Sequence, residues 1–315
     1  MVGEKRHRVV AVMNRAAVGR CLAGLVLASF LVVDPIGAGE ISAGTSAPGQ
    51  TCMWRVSSGT TVMYLLGSVH LLRSDDAFLS SDIERAFEQS EIVVFEVNFE
   101  AEDTAGAALR MMEASVLPEQ KSLRDVVSPE TYRMVERRFE SMGLDVATMQ
   151  QMRPWMVATT MALEELQRAG YSPTHGVDRS LYRRASESGL EIRGLETIQD
   201  QLSLFENMTP AQDEAFLVQT MKDLDTVIGM ADEIVEMWRS GRTDELGAVL
   251  ADGYDDFPEL FARLVSERNR KWMPKLEELL AGTEGVFVVV GALHLVGDEG
   301  VIALLRQGGY TVEHL

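Results

Sequence analysis

The sequence predicts an α/β fold in which a central, mostly parallel β-sheet carries a large helical insertion. Three observations point there. Continuous apolar runs of strand length, Thr61-Val62-Met63-Tyr64-Leu65-Leu66, Ile92-Val93-Val94-Phe95-Glu96-Val97 and Val286 to Val290, stand toward the two ends of the chain. A capped amphipathic helix separates the first two, so strand, helix and strand fit within about forty residues, enough for a βαβ unit. Between the second run and the third, the pattern is mainly helical. Apolar runs without polar alternation suit strands covered on both faces, the setting of a parallel sheet.

Taken in order, the first strand ends at Gly67. Ser81-x-x-Glu84 then reads as a capping box, and Ile83, Ala86 and Phe87 give the following helix one apolar face. Glu91 leads into the second strand. In the insertion, Ser128-Pro129 opens a helix, with Pro at the first position, where its missing N–H costs nothing. Trp155 to Ala169 is helical and stops at Gly170, and Leu190-Glu191-Ile192 is a short strand running into Gly194-Leu195-Glu196. Thr209-Pro210-x-Gln212 opens a long helix through Trp238, and Pro258 to Leu280 is another helical stretch, with Pro274 the expected point of a kink. Val301 to Leu305 fits a short helix, and Gly309-Tyr310-Thr311-Val312 a last strand. The methionines frequent from Met111 to Met161 read as core filling on these helices.

Composition narrows the function classes. A hydrophobic content of 46% supports a real core and excludes a disordered chain. Lys and Arg total 29 against 48 Asp and Glu, a formal net charge of -19. Such a surface repels phosphate backbones, and no basic stripe with interleaved aromatics is present, so nucleic acid is excluded as a partner. The N-terminus is charged the other way. Lys5, Arg6, Arg8, Arg15 and Arg20 precede an uncharged run from Cys21 to Val33, followed by Pro35 and small residues to Gly39. That layout predicts a secretory signal over 1–39, a Gly/Ser/Ala-rich linker over 40–50 and a folded domain over 51–315. The expected location is periplasmic or secreted. Membrane contact is expected only if the signal stays uncleaved as an anchor, since the apolar run is shorter than the roughly 20 residues of a span. Cleavage would remove Cys21 and leave Cys52 as the single thiol, excluding an internal disulfide. Beside Met53 and Trp54, Cys52 reads as a small buried hydrophobe.

Two segments echo each other: Gly67-Ser68-Val69-His70 and Gly291-Ala292-Leu293-His294. Each leaves an apolar strand directly, and loops at the carboxyl ends of parallel strands line the binding crevice. One such His would read as structural. Two in equivalent settings, among only five in the chain, point to function. Glu96 lies near the end of an apolar strand, where an unpaired carboxylate would cost several kcal/mol, and Glu196 holds a similar place after the Leu190 strand. Two imidazoles and two carboxylates suit a divalent metal with an open position, or a metal-free base with its orienting acid. Arg268 is a candidate cation for a developing oxyanion.

Residues from about Cys52 to Leu315 resemble the TraB/GumN family, which also contains the TIKI proteins. The matching pieces are Trp54-x-Val56, Leu65 to His70, Ile92 to Val97, Pro154-Trp155 and Gly176-Val177-Asp178. They continue with Gly194 to Thr197 and Gln201, Glu267-Arg268-Asn269, and Val290 to Gly297. The one departure is Ser68, where the family usually has Thr. The resemblance implies an erythromycin-esterase/ChaN-like α/β fold and, from TIKI relatives, a metal-dependent peptidase needing both GxxH motifs. Carried over by position, His70 and His294 are the motif histidines, Glu96 the strand glutamate and Arg268 the family arginine, while Glu196 and Asp178 match further family positions.

The expected function is therefore an exported hydrolase, acting on a peptide or small-molecule substrate. His70, His294, Glu96 and Glu196 would hold Mn²⁺, Co²⁺ or Zn²⁺, whose bound water attacks the carbonyl. No His-Glu-x-x-His helix is present, which excludes the standard zincin arrangement. One alternative keeps the site without a metal: His70 activates water, Glu96 orients it, and Arg268 with His294 stabilises the oxyanion. Others are a haem or iron-binding protein without turnover, and an inactive interaction protein with a cationic partner.

Overall fold

A mixed six-stranded sheet organises the computed structural model, which describes residues 42–43, 51–59, 61–252, 254 and 257–315. The signal expected over 1–39 lies outside the described residues, as does the 40–50 linker apart from Ser42 and Ala43. In chain order the strands are β1 (Ser42–Ala43), β2 (Met53–Ser57), β3 (Val62–Ser68), β4 (Phe78–Leu79), β5 (Ile92–Val97), β6 (Glu191–Glu196), β7 (Val286–Gly291) and β8 (Thr311–His314). The large sheet has the order β6-β5-β7-β3-β2-β8, and β1 pairs separately with β4. The neighbours β6, β5, β7 and β3 are all parallel. Every residue of β7 is buried, as the apolar run requires. The sheet is therefore mostly parallel as expected, with β2 as its antiparallel exception, paired to β3 on one side and β8 on the other. The β2–β3 hairpin turns through Gly59, whose φ of 91° favours glycine.

The helices are α1 (Ser81–Glu88), α2 (Thr104–Ser115), α3 (Leu123–Val126), α4 (Pro129–Ser141), α5 (Pro154–Arg168), α6 (Val177–Glu187) and α7 (Ile198–Glu206). They continue with α8 (Pro210–Asp223), α9 (Val227–Arg239), α10 (Thr243–Asp252), α11 (Pro258–Phe261), α12 (Glu267–Leu280), α13 (Ala292–Leu295) and α14 (Val301–Gln307). Several starts are fixed by the capping chemistry written in the sequence. Ser128 Oγ accepts from Thr131 N at the head of α4, and Thr209 and Gln212 close a reciprocal box on α8. At α1 the cap falls one residue earlier than expected, on Ser80, whose Oγ accepts from Ile83 N. The Pro154-Trp155 pair acquires a reason here: Pro154 opens α5, and buried Asp213 of α8 accepts from Trp155 N at 2.6 Å while pairing with Arg153 at 3.1 Å.

One helical expectation needs correction. The long helix from Thr209 to Trp238 is two helices, parted by a turn at Leu224 to Thr226 in which Thr226 N and Oγ1 both bond Asp223 O. No Gly or Pro marks the break. Leu224 is buried there, so tertiary packing overrides helix propensity. The turn redirects α9, whose Trp238 Nε1 donates to Gly67 O at 2.6 Å. In the stretch from Pro258 to Leu280, Pro274 lies inside α12, and a π-helical turn over Ala262–Ser266 stands between α11 and α12. One continuous core of buried apolar side chains joins the sheet to the insertion.

Candidate active site

Parallel pairing sends the ends of β6, β5, β7 and β3 to the same edge of the sheet, so the residues singled out in the sequence meet there. Ser68 and Gly291 are register partners, which lays the two GxxH motifs side by side. Their glycines are required by contact. A Cβ on Gly67 would lie 2.6 Å from Cys52 Sγ and 3.0 Å from Ala292 Cα; one on Gly291 would lie 3.0 Å from His70 Nε2 and 3.4 Å from Glu96 Oε1. Each glycine therefore makes room for the opposite half of the site. Cys52 itself is packing material, its thiol pushed up to about 12 by burial.

His70 is oriented from α6. A Cβ on Gly176 would strike His70 O at 2.5 Å, Val177 N donates to Val69 O, and Asp178 Oδ1 then sits 3.0 Å from His70 Nδ1. This is the role of the Gly176-Val177-Asp178 motif. Burial pulls the imidazole pKa down, but Asp178, aided by Glu96, outweighs it and lifts the pKa to about 9.

Arg268 is the hub of the other half. Only 3% exposed, it directs Nε to both oxygens of Glu196 at 3.1 Å, and Nη2 to Glu96 Oε2 at 2.5 Å and Glu196 Oε1 at 2.6 Å. Nη1 donates to His294 Nε2 at 2.9 Å and to Leu264 O, a carbonyl of the π-turn, at 3.0 Å. These contacts engage all five guanidinium N–H bonds. A guanidinium cannot accept, so His294 Nε2 must be the acceptor and its proton sits on Nδ1, which donates to Asn269 Oδ1 at 2.7 Å. Asn269 Nδ2 is held in turn by the carbonyls of His294 and Glu299. Burial first, then the Arg268 charge, pushes the His294 pKa down to about 3, so this ring is neutral. Burial raises the Glu96 pKa, but Arg268, His294 and His70 outweigh it and hold the carboxyl at about 2. Glu96 Oε1 also accepts from Gly291 N at 2.9 Å, and Gln201 Nε2 reaches Oε2 at 3.3 Å.

His70, Glu96, Glu196, Arg268, His294 and Asp178 are thus brought together, with two changes of role. Arg268 is no free oxyanion donor, because its donors are already spent, and it is no solvated helix charge either. The four expected metal ligands do not fit that part in this arrangement. Both Glu196 oxygens face Arg268, with Trp272 Nε1 on Oε2 at 3.0 Å, and the His294 Nε2 lone pair is taken. Among the described residues, no group of three or more His, Cys, Asp or Glu side chains is disposed to hold a metal ion. Gln201 and Asn269 stood inside recognised motifs without a role, and Trp272 gave no signal. A pocket opens over this floor, walled on its apolar side by Ile234 and Val235 of α9 and Leu250 of α10.

A parallel sheet that delivers paired GxxH histidines and a strand carboxylate to one buried arginine defines a class. The chain belongs to the TraB/PrgY/gumN family, whose sequence profile matches residues 52–314. It is similar to the uncharacterized protein YbaP of Escherichia coli (strain K12), 23% identical over 248 residues, 79% of this chain and 89% of that one. The YbaP protein of Shigella flexneri matches with the same identity and coverage. No solved structure matches the chain.

Proposed function

We propose that this chain is a hydrolase that cleaves an amide or ester bond by proton transfer, with no step through a metal. The observation that carries the reading is the His70–Asp178 pair, 3.0 Å apart, with His70 Nε2 standing over Gly291 beside Glu96 Oε1. His70 is the proton carrier and Asp178 its orienting partner. Glu96, ionised, accepts a hydrogen bond from water and aims it at the carbonyl. The His70 Nε2 proton goes to the leaving group, and the proton that water releases restores the imidazolium. Ile234, Val235 and Leu250 would receive an apolar part of the substrate.

The test is turnover of p-nitrophenyl butyrate and a peptide panel by chelator-treated protein. Turnover should survive chelation and fall about 10²–10⁴-fold in His70→Ala and Asp178→Asn, the range of a general acid and its orienting partner. Loss on chelation with recovery on adding Mn²⁺, Co²⁺ or Zn²⁺ would restore the metal-dependent peptidase reading. A Soret band on haem addition, with no turnover at all, would replace the enzyme with a binding module.

A further inference from the structure

Ser68 ends β3, is 2% exposed and lines the pocket, yet its Oγ has no hydrogen-bond partner among the described residues. A buried hydroxyl without a partner is costly, and in a native fold it calls for an explanation. We infer that Ser68 Oγ–H is the donor that meets the substrate's carbonyl oxygen as it gains negative charge, an inference that rests on the hydrolase reading above.

The surrounding groups leave this task open. Arg268 spends its N–H bonds on Glu96, Glu196, His294 and Leu264. His294 Nδ1 serves Asn269, and Gly291 N serves Glu96. The proton on His70 Nε2 is reserved for the leaving group. The Ser68 hydroxyl is what remains. It also comes from the right place: Ser68 pairs in register with Gly291, the residue over which His70 Nε2 and Glu96 Oε1 stand. A nucleophilic role fits less well. No hydrogen bond joins Ser68 Oγ to His70, so no base is in place to take the serine proton.

The experiment compares Ser68→Ala and Ser68→Thr with wild type on p-nitrophenyl butyrate and the peptide panel, and follows thermal unfolding of each. Ser68→Ala should lower kcat about 10²–10³-fold with KM little changed, the signature of a donor used mainly in the transition state. Ser68→Thr, which keeps a hydroxyl, should retain most turnover. Ser68→Ala should melt no lower than wild type, because it removes a polar atom that nothing in the fold satisfies. Normal turnover in Ser68→Ala overturns this inference alone. So does a clear fall in Tm, which would mean the hydroxyl is a structural bond, and so does labelling of Ser68 by a fluorophosphonate, which would make it a nucleophile. Absence of wild-type turnover on the whole panel defeats the hydrolase reading and this inference with it.

Discussion

Arg268 shows how one side chain can set the state of several others. Its charge keeps His294 neutral and helps keep Glu96 ionised. Arg268→Ala would leave two largely buried carboxylates uncompensated, a loss of about 3–5 kcal/mol of stability. Arg268→Lys should recover only part of it, since an ammonium offers three donors and no planar fork. Urea unfolding of both variants checks this; a Lys variant as stable as wild type would show that charge alone suffices. The site also predicts a pH optimum for stability. His294, lowered from 6.5 to about 3, contributes stability that is fully present above 6.5 and lost as pH falls toward 3. Glu96, lowered from 4.5 to about 2, adds a loss as pH falls below 4.5. His70, raised from 6.5 to about 9, contributes stability that is present below 6.5 and lost as pH rises toward 9. Stability from these groups should therefore peak near pH 6.5, and Tm measured across pH 3–10 should show it. His70→Gln should flatten the alkaline limb specifically. At this scale the motif residues themselves were legible, because a His on a strand end or a Glu inside an apolar run is anomalous. Their bonding was not legible, because Asp178 reaches His70 from a different element, and nothing local reveals that Arg268 has no spare donor.

Among the elements, the π-turn at Ala262–Ser266 has a clear task. It immediately precedes α12, and its Leu264 carbonyl receives Arg268 Nη1. Such turns widen a helix by one residue and are common at functional sites. Deleting Ala262 should close the wide turn to regular α-helix, whose i to i−4 ladder would claim the Leu264 carbonyl and take it from Arg268 Nη1. Turnover should vanish while the far-UV circular dichroism stays helical; retained turnover would mean that the turn is incidental to the site. The sequence pattern revealed the strands β3, β5 and β7 and the capped starts of α4 and α8, since apolar runs and caps are local signals. It did not reveal the break between α8 and α9, which buried Leu224 and the seating of Trp238 on Gly67 O impose from outside the segment. It also missed β2, because Met53-Trp54-Arg55-Val56 has no clean alternation and its partners, β3 and β8, come from opposite ends of the domain.

For the whole molecule, the proposed export predicts that protein purified from the cell envelope lacks about the first 39 residues by mass spectrometry. An intact Met1 on a cytoplasmic species would refute it. The sheet order has a further consequence in time. The chain makes β3 and β5 early, but in the finished sheet they do not touch; β7 lies between them. At ribosomal speeds of 5–20 residues per second, the stretch from the end of β5 to the start of β7 takes roughly 10–40 s to synthesise. Through that interval β3 and β5 each lack the neighbour that completes the sheet, and unpaired strand edges invite foreign pairing. His294 and the glycine beneath His70 arrive with β7 and the turn after it. The nascent chain therefore carries the first of its two motif histidines, His70, in an unfinished and silent form, and the centre is assembled only when the last of the parallel quartet slides into the gap.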